Sequence, residues 1–204
     1  MLSKPLPILL ITNAEYGQAN VILAVAQELS FNPAYKVHVS SFADLEVRVD
    51  QANKDPRVAS PIQFHGVLVP SMTELIKRHN VVLPHAPGIP SAIPSFTTLN
   101  RSILGWESDE YMTAYHAFLK LIESVNPSAL VLDPGIWMAH DAARQLGINF
   151  ILLTPSSAKE LSADAMPMGS AFWKYPLYGT EPLPLVRTRK AYTHIVQDQD
   201  TRIP

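Results

Sequence analysis

The chain has 204 residues, of which 47% are hydrophobic and 17% are charged, a composition typical of a folded domain. Its 16 basic and 18 acidic residues nearly balance, which argues against a nucleic-acid-binding protein. Cysteine is absent, so disulfides and cysteine-ligated metal centres are excluded. No apolar run approaches the roughly 20 residues of a membrane span. We therefore expect a cytoplasmic protein with no integral membrane segment and no nucleic-acid partner.

Glycine and histidine spacing excludes two further kinds of site. The eight glycines never stand closer than ten residues apart, so neither a GxGxxG nor a P-loop phosphate cradle is possible. The seven histidines form no compact ligand set of the HxH or HExxH type. We expect no metal site and no tightly bound cofactor.

Strands and helices alternate along the first 80 residues. The apolar run at 7–12 predicts a strand buried on both faces, and the apolar segment at 19–29 predicts a buried helix. Further strands are expected at 36–41 and 62–69, and further helices at 43–52 and 72–79.

The second half of the chain continues the alternation after a proline-rich interruption. Four prolines between residues 80 and 105 exclude long regular elements there. Residues 106–125 give the clearest helix, with an apolar stripe at 3–4 spacing and acidic residues in the first turn. Strands at 129–133 and 149–153 flank a helix at 135–146 that ends before Gly147. Residues 155–204 are proline-rich and weakly periodic.

This alternation predicts an α/β fold: a Rossmann-like, doubly wound parallel sheet with helices on both faces and strand order 3-2-1-4-5. We assign residues 1–155 to this domain and residues 156–204 to a proline-rich segment that covers it. Ligands of such sheets bind where the strand order reverses, which here is between the first and fourth strands. The loop from Asn13 to Gln18 and the carboxylate of Asp133 should meet there.

Structural roles compete with functional ones at these positions. Asp133 followed by Pro134 also fits a helix N-cap with proline at the first helical position. Glu15 also fits a solvated loop carboxylate, and Trp137 fits a core residue. His140 lies inside the predicted helix and is expected at the surface.

Three segments resemble a known family. PILLITNAEYGQANVILAVAQEL, KVHVSSFADLE and SALVLDPGIWMAHDAARQLGINFILLTPSS are similar in order and spacing to the amino-terminal, acceptor-binding domain of UDP-glycosyltransferases of the GT-B fold, and most of all to the fungal members. WKYPLYGTEPLPL resembles the proline-rich stretch that follows in those proteins. The resemblance covers nearly the whole chain.

The resemblance implies an inverting glycosyl transfer from a UDP-sugar to the hydroxyl of a small lipophilic acceptor. In the family, a histidine after the first strand deprotonates the acceptor, and an aspartate after the fourth strand orients that histidine. The aspartate position falls on Asp133, and the histidine position falls on Gln18. Glutamine does not titrate near pH 7, so Gln18 can hold a hydroxyl but cannot act as a base. Glu15, Asp133 itself, a base acting through water, or no catalysis at all remain open.

The family holds its UDP-sugar mainly in a second, carboxyl-terminal domain, and nothing in residues 155–204 resembles that domain. We therefore expect the chain to be inactive alone. It is then either a fragment of a longer enzyme, a subunit that pairs with a separate donor-domain chain, or a non-catalytic binding module. The acceptor cleft would be lined by the 84–105 loop and the aromatic 166–175 segment. Its expected contact residues are Glu15, Tyr16, Gly17, His85 and Trp137.

Overall fold

The computed structural model describes residues 4–79 and 105–155. The expected cleft residue His85, the 166–175 segment and the whole of 156–204 lie outside these ranges. The described strands are β1 (Leu6–Ile11), β2 (Tyr35–Phe42), β3 (Gln63–Val67), β4 (Ala129–Leu132) and β5 (Ile151–Leu152). The described helices are α1 (Tyr16–Ser30), α2 (Glu46–Ala52), α3 (Met72–Arg78), α4 (Ser108–Val125) and α5 (Trp137–Gln145), and a 3₁₀ turn (Ala43–Leu45) precedes α2.

The five strands form one parallel sheet in the order β3-β2-β1-β4-β5, which confirms the predicted doubly wound topology. β1 lies at the centre, where Ile11 pairs with Ser40 of β2 on one side and with Leu132 of β4 on the other. The reversal of strand order therefore falls between β1 and β4, as the sequence predicted. β5 is shorter than expected, with two residues instead of five.

Helices cover both faces of the sheet because the buried strands are apolar on both sides. Alternate residues of β1 separate the two cores: Ile8 and Leu10 pack with α1 and α2, whereas Leu9 and Ile11 pack with α3, α4 and α5. Such continuous burial accounts for the unbroken apolar run that marked β1 in the sequence.

Local signals set the ends of most helices. Ser71 and Glu74 form a reciprocal capping box at the start of α3, and Glu107 and Glu110 do so at α4. α4 ends at Asn126, which takes the left-handed conformation at φ 47°. Gly147 follows α5 with φ 66°, a conformation that glycine adopts without strain.

The described helices do not include one that is both long and apolar enough to cross a membrane.

Candidate functional site

The ends of β1 and β4 bring the two predicted loops together. The backbone N–H of Asp133 donates to the carbonyl of Ile11 at 2.9 Å, so the residues after the two strands lie side by side. Thr12, Asn13 and Asp133 are all fully buried there. The site is thus a buried polar group at the carboxyl edge of an otherwise apolar sheet centre.

Hydrogen-bond donors from two segments, the loop after β1 and the loop after β4, surround the Asp133 carboxylate. Oδ2 accepts from Thr12 Oγ1 at 3.0 Å and from the Asn13 backbone N–H at 3.5 Å, while Oδ1 accepts from the Gly135 N–H at 2.7 Å. Asp133 does not cap α5, because that helix begins only at Trp137, after Ile136 as its N-cap. The capping alternative is therefore wrong: the chain makes a turn through Pro134 and Gly135 before the helix starts.

Burial raises the pKa of the Asp133 carboxyl above its usual range, because a charged carboxylate is poorly solvated at this depth. The hydrogen bonds from Gly135, Thr12 and Asn13 oppose this shift without cancelling it. Asp133 therefore has the properties of a group that can exchange a proton closer to neutral pH than an exposed aspartate can.

Two amide side chains at this edge carry polar atoms without a partner among the described residues. Asn13 Oδ1 accepts from the Glu15 N–H at 2.8 Å, but Asn13 Nδ2 is buried and unpaired. Gln18 Oε1 is likewise buried and unpaired. A buried donor or acceptor without a partner costs roughly 1–3 kcal/mol, so a native structure rarely leaves one without a reason.

Gly135 shows where these groups converge. A Cβ atom at this position would lie 3.2 Å from Asp133 Oδ1 and 3.6 Å from both Asn13 Nδ2 and Gln18 Oε1. The side chains from the β1 loop, α1 and the β4 loop thus converge on the Gly135 backbone, and the absence of a side chain there lets them pack closely. The structure therefore brings Gln18 and Asp133 together.

The other predicted residues of the β1 loop face different partners. Glu15 accepts a hydrogen bond from Thr73 Oγ1 of α3 at 2.7 Å. The exposed Tyr16 ring lies against the Arg48 guanidinium, 4.3 Å from the ring centroid, and Arg48 also donates to the Ala14 carbonyl and to Asn20. Gly17 has open space where a Cβ would project.

Helix α5 contributes one exposed and one buried ring. Trp137 is 44% exposed and is therefore not the core residue that its type favours. His140 is 5% exposed, so its expected surface position is wrong. The reason is a long-range contact: a nitrogen of the His140 ring lies 2.9 Å from the Asp133 carbonyl, to which it donates, and the ring packs near Phe150.

Sequence reasoning placed Asn13 in the loop that meets Asp133 but gave it no role, and it missed Thr12 and Gly135 as parts of this site. Their position directly after β1 and β4 was a usable signal, because these strand ends were already expected to meet. Nothing in the sequence shows which atoms of their side chains lack partners.

Comparisons with known proteins show which proteins share this fold. No protein-family model matches the sequence. CalG4, the calicheamicin glycosyltransferase, superposes with a TM-score of 0.50 at 12% identity over 90% of this chain and 38% of its own. SsfS6, a Streptomyces sp. SF2575 glycosyltransferase, gives a TM-score of 0.49 at 18% identity over 73% of this chain and 39% of its own.

The fold is thus that of one Rossmann-like half of a GT-B glycosyltransferase. In sequence, the chain is 26% identical over 199 residues to glycosyltransferase sdnJ of Sordaria araneosa, a match that covers 91% of this chain and 39% of sdnJ. The chain is thus similar to glycosyltransferases and shares the GT-B fold over their amino-terminal part, as the resemblance predicted. It spans about two fifths of the length of this curated relative.

Proposed function

We propose that the chain is the acceptor-binding part of a UDP-sugar-dependent, inverting glycosyltransferase that acts on the hydroxyl of a small lipophilic acceptor. One observation carries this proposal. A buried carboxylate, an unpaired amide donor and an unpaired amide acceptor converge beside Gly135, at the edge where the strand order reverses between β1 and β4. A hydroxyl both donates and accepts, so it can satisfy such a set. Residues 1–155 would form the acceptor domain.

Asp133 is the group that we assign as the general base. Its Oδ1 accepts one described hydrogen bond, from Gly135, which leaves a lone pair for the acceptor. The acceptor O–H would give its proton to Oδ1 while its oxygen bonds to the anomeric carbon. The bond from that carbon to the diphosphate would break, and UDP would leave with the electron pair. The raised pKa of Asp133 supports this role.

The remaining candidates for the base fit less well. Gln18 does not titrate and would hold the hydroxyl through its amide. Glu15 is engaged by Thr73 on the side of the loop that faces α3. Tyr16, Gly17, Trp137 and His85 would contribute to the walls of the acceptor cleft.

The donor would be a UDP-sugar, held mainly by a second domain or a separate chain. The relative sdnJ is more than twice as long as the part of it that this chain matches. We therefore expect the 204-residue chain to bind acceptors without turning them over.

The test is direct. Calorimetry with a panel of phenols and sterols should give saturable binding, and incubation with UDP-glucose and the same panel should give no product. Turnover by the chain alone would overturn its expected inactivity. Tight binding of UDP by the chain alone would contradict its assignment to the acceptor side.

A second candidate is a non-catalytic binding module or a subunit that pairs with a donor-domain chain. Gln18 favours it, because the residue at the family's base position cannot accept a proton at neutral pH. Purification of the chain with its native partners distinguishes the subunit from the binding module. A co-purifying UDP-binding chain that restores transfer would support the subunit.

A further inference from the structure

Arg48 on α2 differs from the other arginines of the structure in having no acidic partner. Three of the four arginines that the structure describes are exposed and form ion pairs with carboxylates. These pairs are Arg57–Asp55, Arg78–Glu110 and Arg144–Asp141. Arg48 is more buried than these three, yet no carboxylate among the described residues pairs with it. Because a partly buried cation is normally compensated by an opposite charge, the position of Arg48 favours an anion as its partner.

Neutral groups hold the Arg48 side chain in place. One terminal nitrogen donates to the Ala14 carbonyl at 3.2 Å, and the other donates to the Asn20 amide oxygen. The Tyr16 ring lies against the guanidinium, with its centroid 4.3 Å from the central carbon. These two hydrogen bonds use two of the five N–H groups of a guanidinium, so three are left without a partner among the described residues. Since its position is already fixed, Arg48 would lose little conformational freedom on binding an anion.

Arg48 lines a groove between α1 and α2, which we call the α1–α2 groove. Its volume is about 700 Å³, and its charged lining residues are Arg48, Lys54 and Asp55. The Asp55 carboxylate already accepts hydrogen bonds from Arg57 and Gln27. The charge that remains unmatched in the described part of the groove is therefore positive.

The α1–α2 groove is separate from the candidate site between β1 and β4. Asn20 and Gln27 line the groove from α1 and lie two and nine residues after Gln18. On a helix of about 3.6 residues per turn, both positions are roughly opposite to Gln18, whose amide oxygen faces Gly135. A ligand in the groove would therefore not occupy the β1–β4 edge, and the inference does not depend on the function proposed above.

We propose that the α1–α2 groove binds a small molecule through an oxyanion, a carboxylate or a phosphate group, that is held by Arg48. The planar fork of guanidinium N–H groups matches two oxygens of either group. The apolar side chains of Leu23, Ala24 and Ala52 line the same groove and would contact an aromatic or aliphatic body. The ligand class is therefore an organic acid or an organic phosphate.

Matched aromatic probes test the requirement for an anion. The 204-residue chain is titrated with benzoate, with phenyl phosphate and with neutral benzamide at low salt, and calorimetry measures binding. NMR follows the Nε–H signal of Arg48 in the same titrations of the wild-type protein, because this signal reports on the guanidinium directly. Arg48→Gln removes the charge and keeps a side-chain amide donor. Arg57→Gln is the control, since it removes an equal charge that is already paired with Asp55.

The two anions should bind and shift the Arg48 signal, and benzamide should bind at least about tenfold more weakly than benzoate. Arg48→Gln should weaken both anions about tenfold or more, the value of a lost charge-assisted hydrogen bond. Arg57→Gln should weaken them less than about twofold. Tighter binding of benzoate or of phenyl phosphate would assign the groove to organic acids or to organic phosphates.

Three results would overturn the proposal. These are no saturable binding of either anion, equal affinities for benzamide and benzoate, and equal losses in Arg48→Gln and Arg57→Gln. Anion binding that leaves the Arg48 signal unmoved in the wild-type protein would overturn it as well, and this measurement decides the question even if Arg48→Gln does not fold.

Discussion

Two clusters of polar side chains lie on the same sheet and differ in how completely their hydrogen bonds are paired. At the carboxyl ends of β1 and β4, Asp133 is surrounded by donors, yet Asn13 Nδ2 and Gln18 Oε1 lack partners. On β2 and β3, the rings of His38 and His65 stack, and Nδ1 of His38 lies 2.9 Å from Nε2 of His65. One of these rings donates the hydrogen bond and the other accepts it.

The comparison distinguishes polar groups that stabilise the fold from polar groups that are available to a ligand. The two histidine rings share one hydrogen bond, in which one neutral ring donates and the other accepts, so the facing nitrogens satisfy each other without a ligand. The Asp133 group has donors and acceptors left over, at the edge where ligands of parallel sheets bind. Burial alone therefore does not mark the site. We assign the site from unpaired atoms together with their position between β1 and β4, since Ser41 Oγ on β2 is also buried without a partner among the described residues.

The largest expected effect comes from removing the Asp133 carboxylate. Asp133→Ala leaves the Thr12 hydroxyl and the Gly135 N–H without their acceptor, and we expect a loss of about 2–4 kcal/mol in the free energy of unfolding. Asp133→Asn should cost only about 1 kcal/mol, because its oxygen can serve Gly135 while its amide donates to Thr12. Urea denaturation measures both.

The pH dependence of stability in the wild-type protein and in Asp133→Asn provides a control. Because the folded pKa of Asp133 is raised, the wild-type protein gains stability from its proton below about pH 3.8 and loses it as the pH rises through the folded value. Asp133→Asn lacks this loss. Equal stability of Asp133→Ala and wild type at neutral pH would contradict the pairing described here.

The histidine pair should have the opposite dependence on pH. Burial, with smaller contributions from His65 and Lys36, lowers the pKa of His38 from 6.5 to about 4. The neutral pair therefore stabilises the fold above about pH 6.5, and this contribution is lost as the pH falls towards 4.

We expect this loss to amount to about 1–2 kcal/mol, a value reduced for the solvent that reaches the half-buried His65. His38→Asn should flatten the dependence in urea denaturation between pH 4 and 6.5, whereas His116→Asn on the exposed face of α4 should leave it unchanged. A His38→Asn protein with the wild-type slope would show that the pair does not titrate as described.

The smallest effect concerns the close packing around Gly135. The backbone at Gly135 is not left-handed, so alanine is conformationally allowed, but its methyl group would crowd Asp133 Oδ1. We expect Gly135→Ala to destabilise by about 1 kcal/mol, and Gly17→Ala on the open side of α1 to stabilise by about 0.5 kcal/mol. Thermal unfolding compares the two, and a stabilised Gly135→Ala would show that the space is larger than the distances indicate.

Much of the fold followed from the sequence because its signals are local. Apolar runs marked the buried strands, alternation predicted the parallel sheet, and the strand order then put Asp133 opposite the β1 loop. Asn126 followed by proline and Gly147 marked two helix ends that the structure confirms. The start of α5 was predicted two residues early, because Pro134 suggested a helix where the chain makes a turn first.

The parts of the site that escaped prediction depend on distant contacts. His140 was expected at the surface, because nothing near it in the sequence reveals the Asp133 carbonyl that its ring contacts. The unpaired atoms of Asn13 and Gln18 are properties of side-chain placement, which composition and periodicity do not encode. The pairing of His38 with His65 required the register of β2 against β3.

The contact between His140 and the Asp133 carbonyl has a consequence for folding. Asp133 is bonded through its backbone to β1 and to α5, and through its carboxylate to the loop after β1. The site therefore forms only while β4 and α5 are packed on the centre of the sheet. A ligand that binds at the site must stabilise this packed arrangement of β4 and α5. Ligand binding should therefore slow hydrogen exchange at the backbone amides of Asp133 and Ile136.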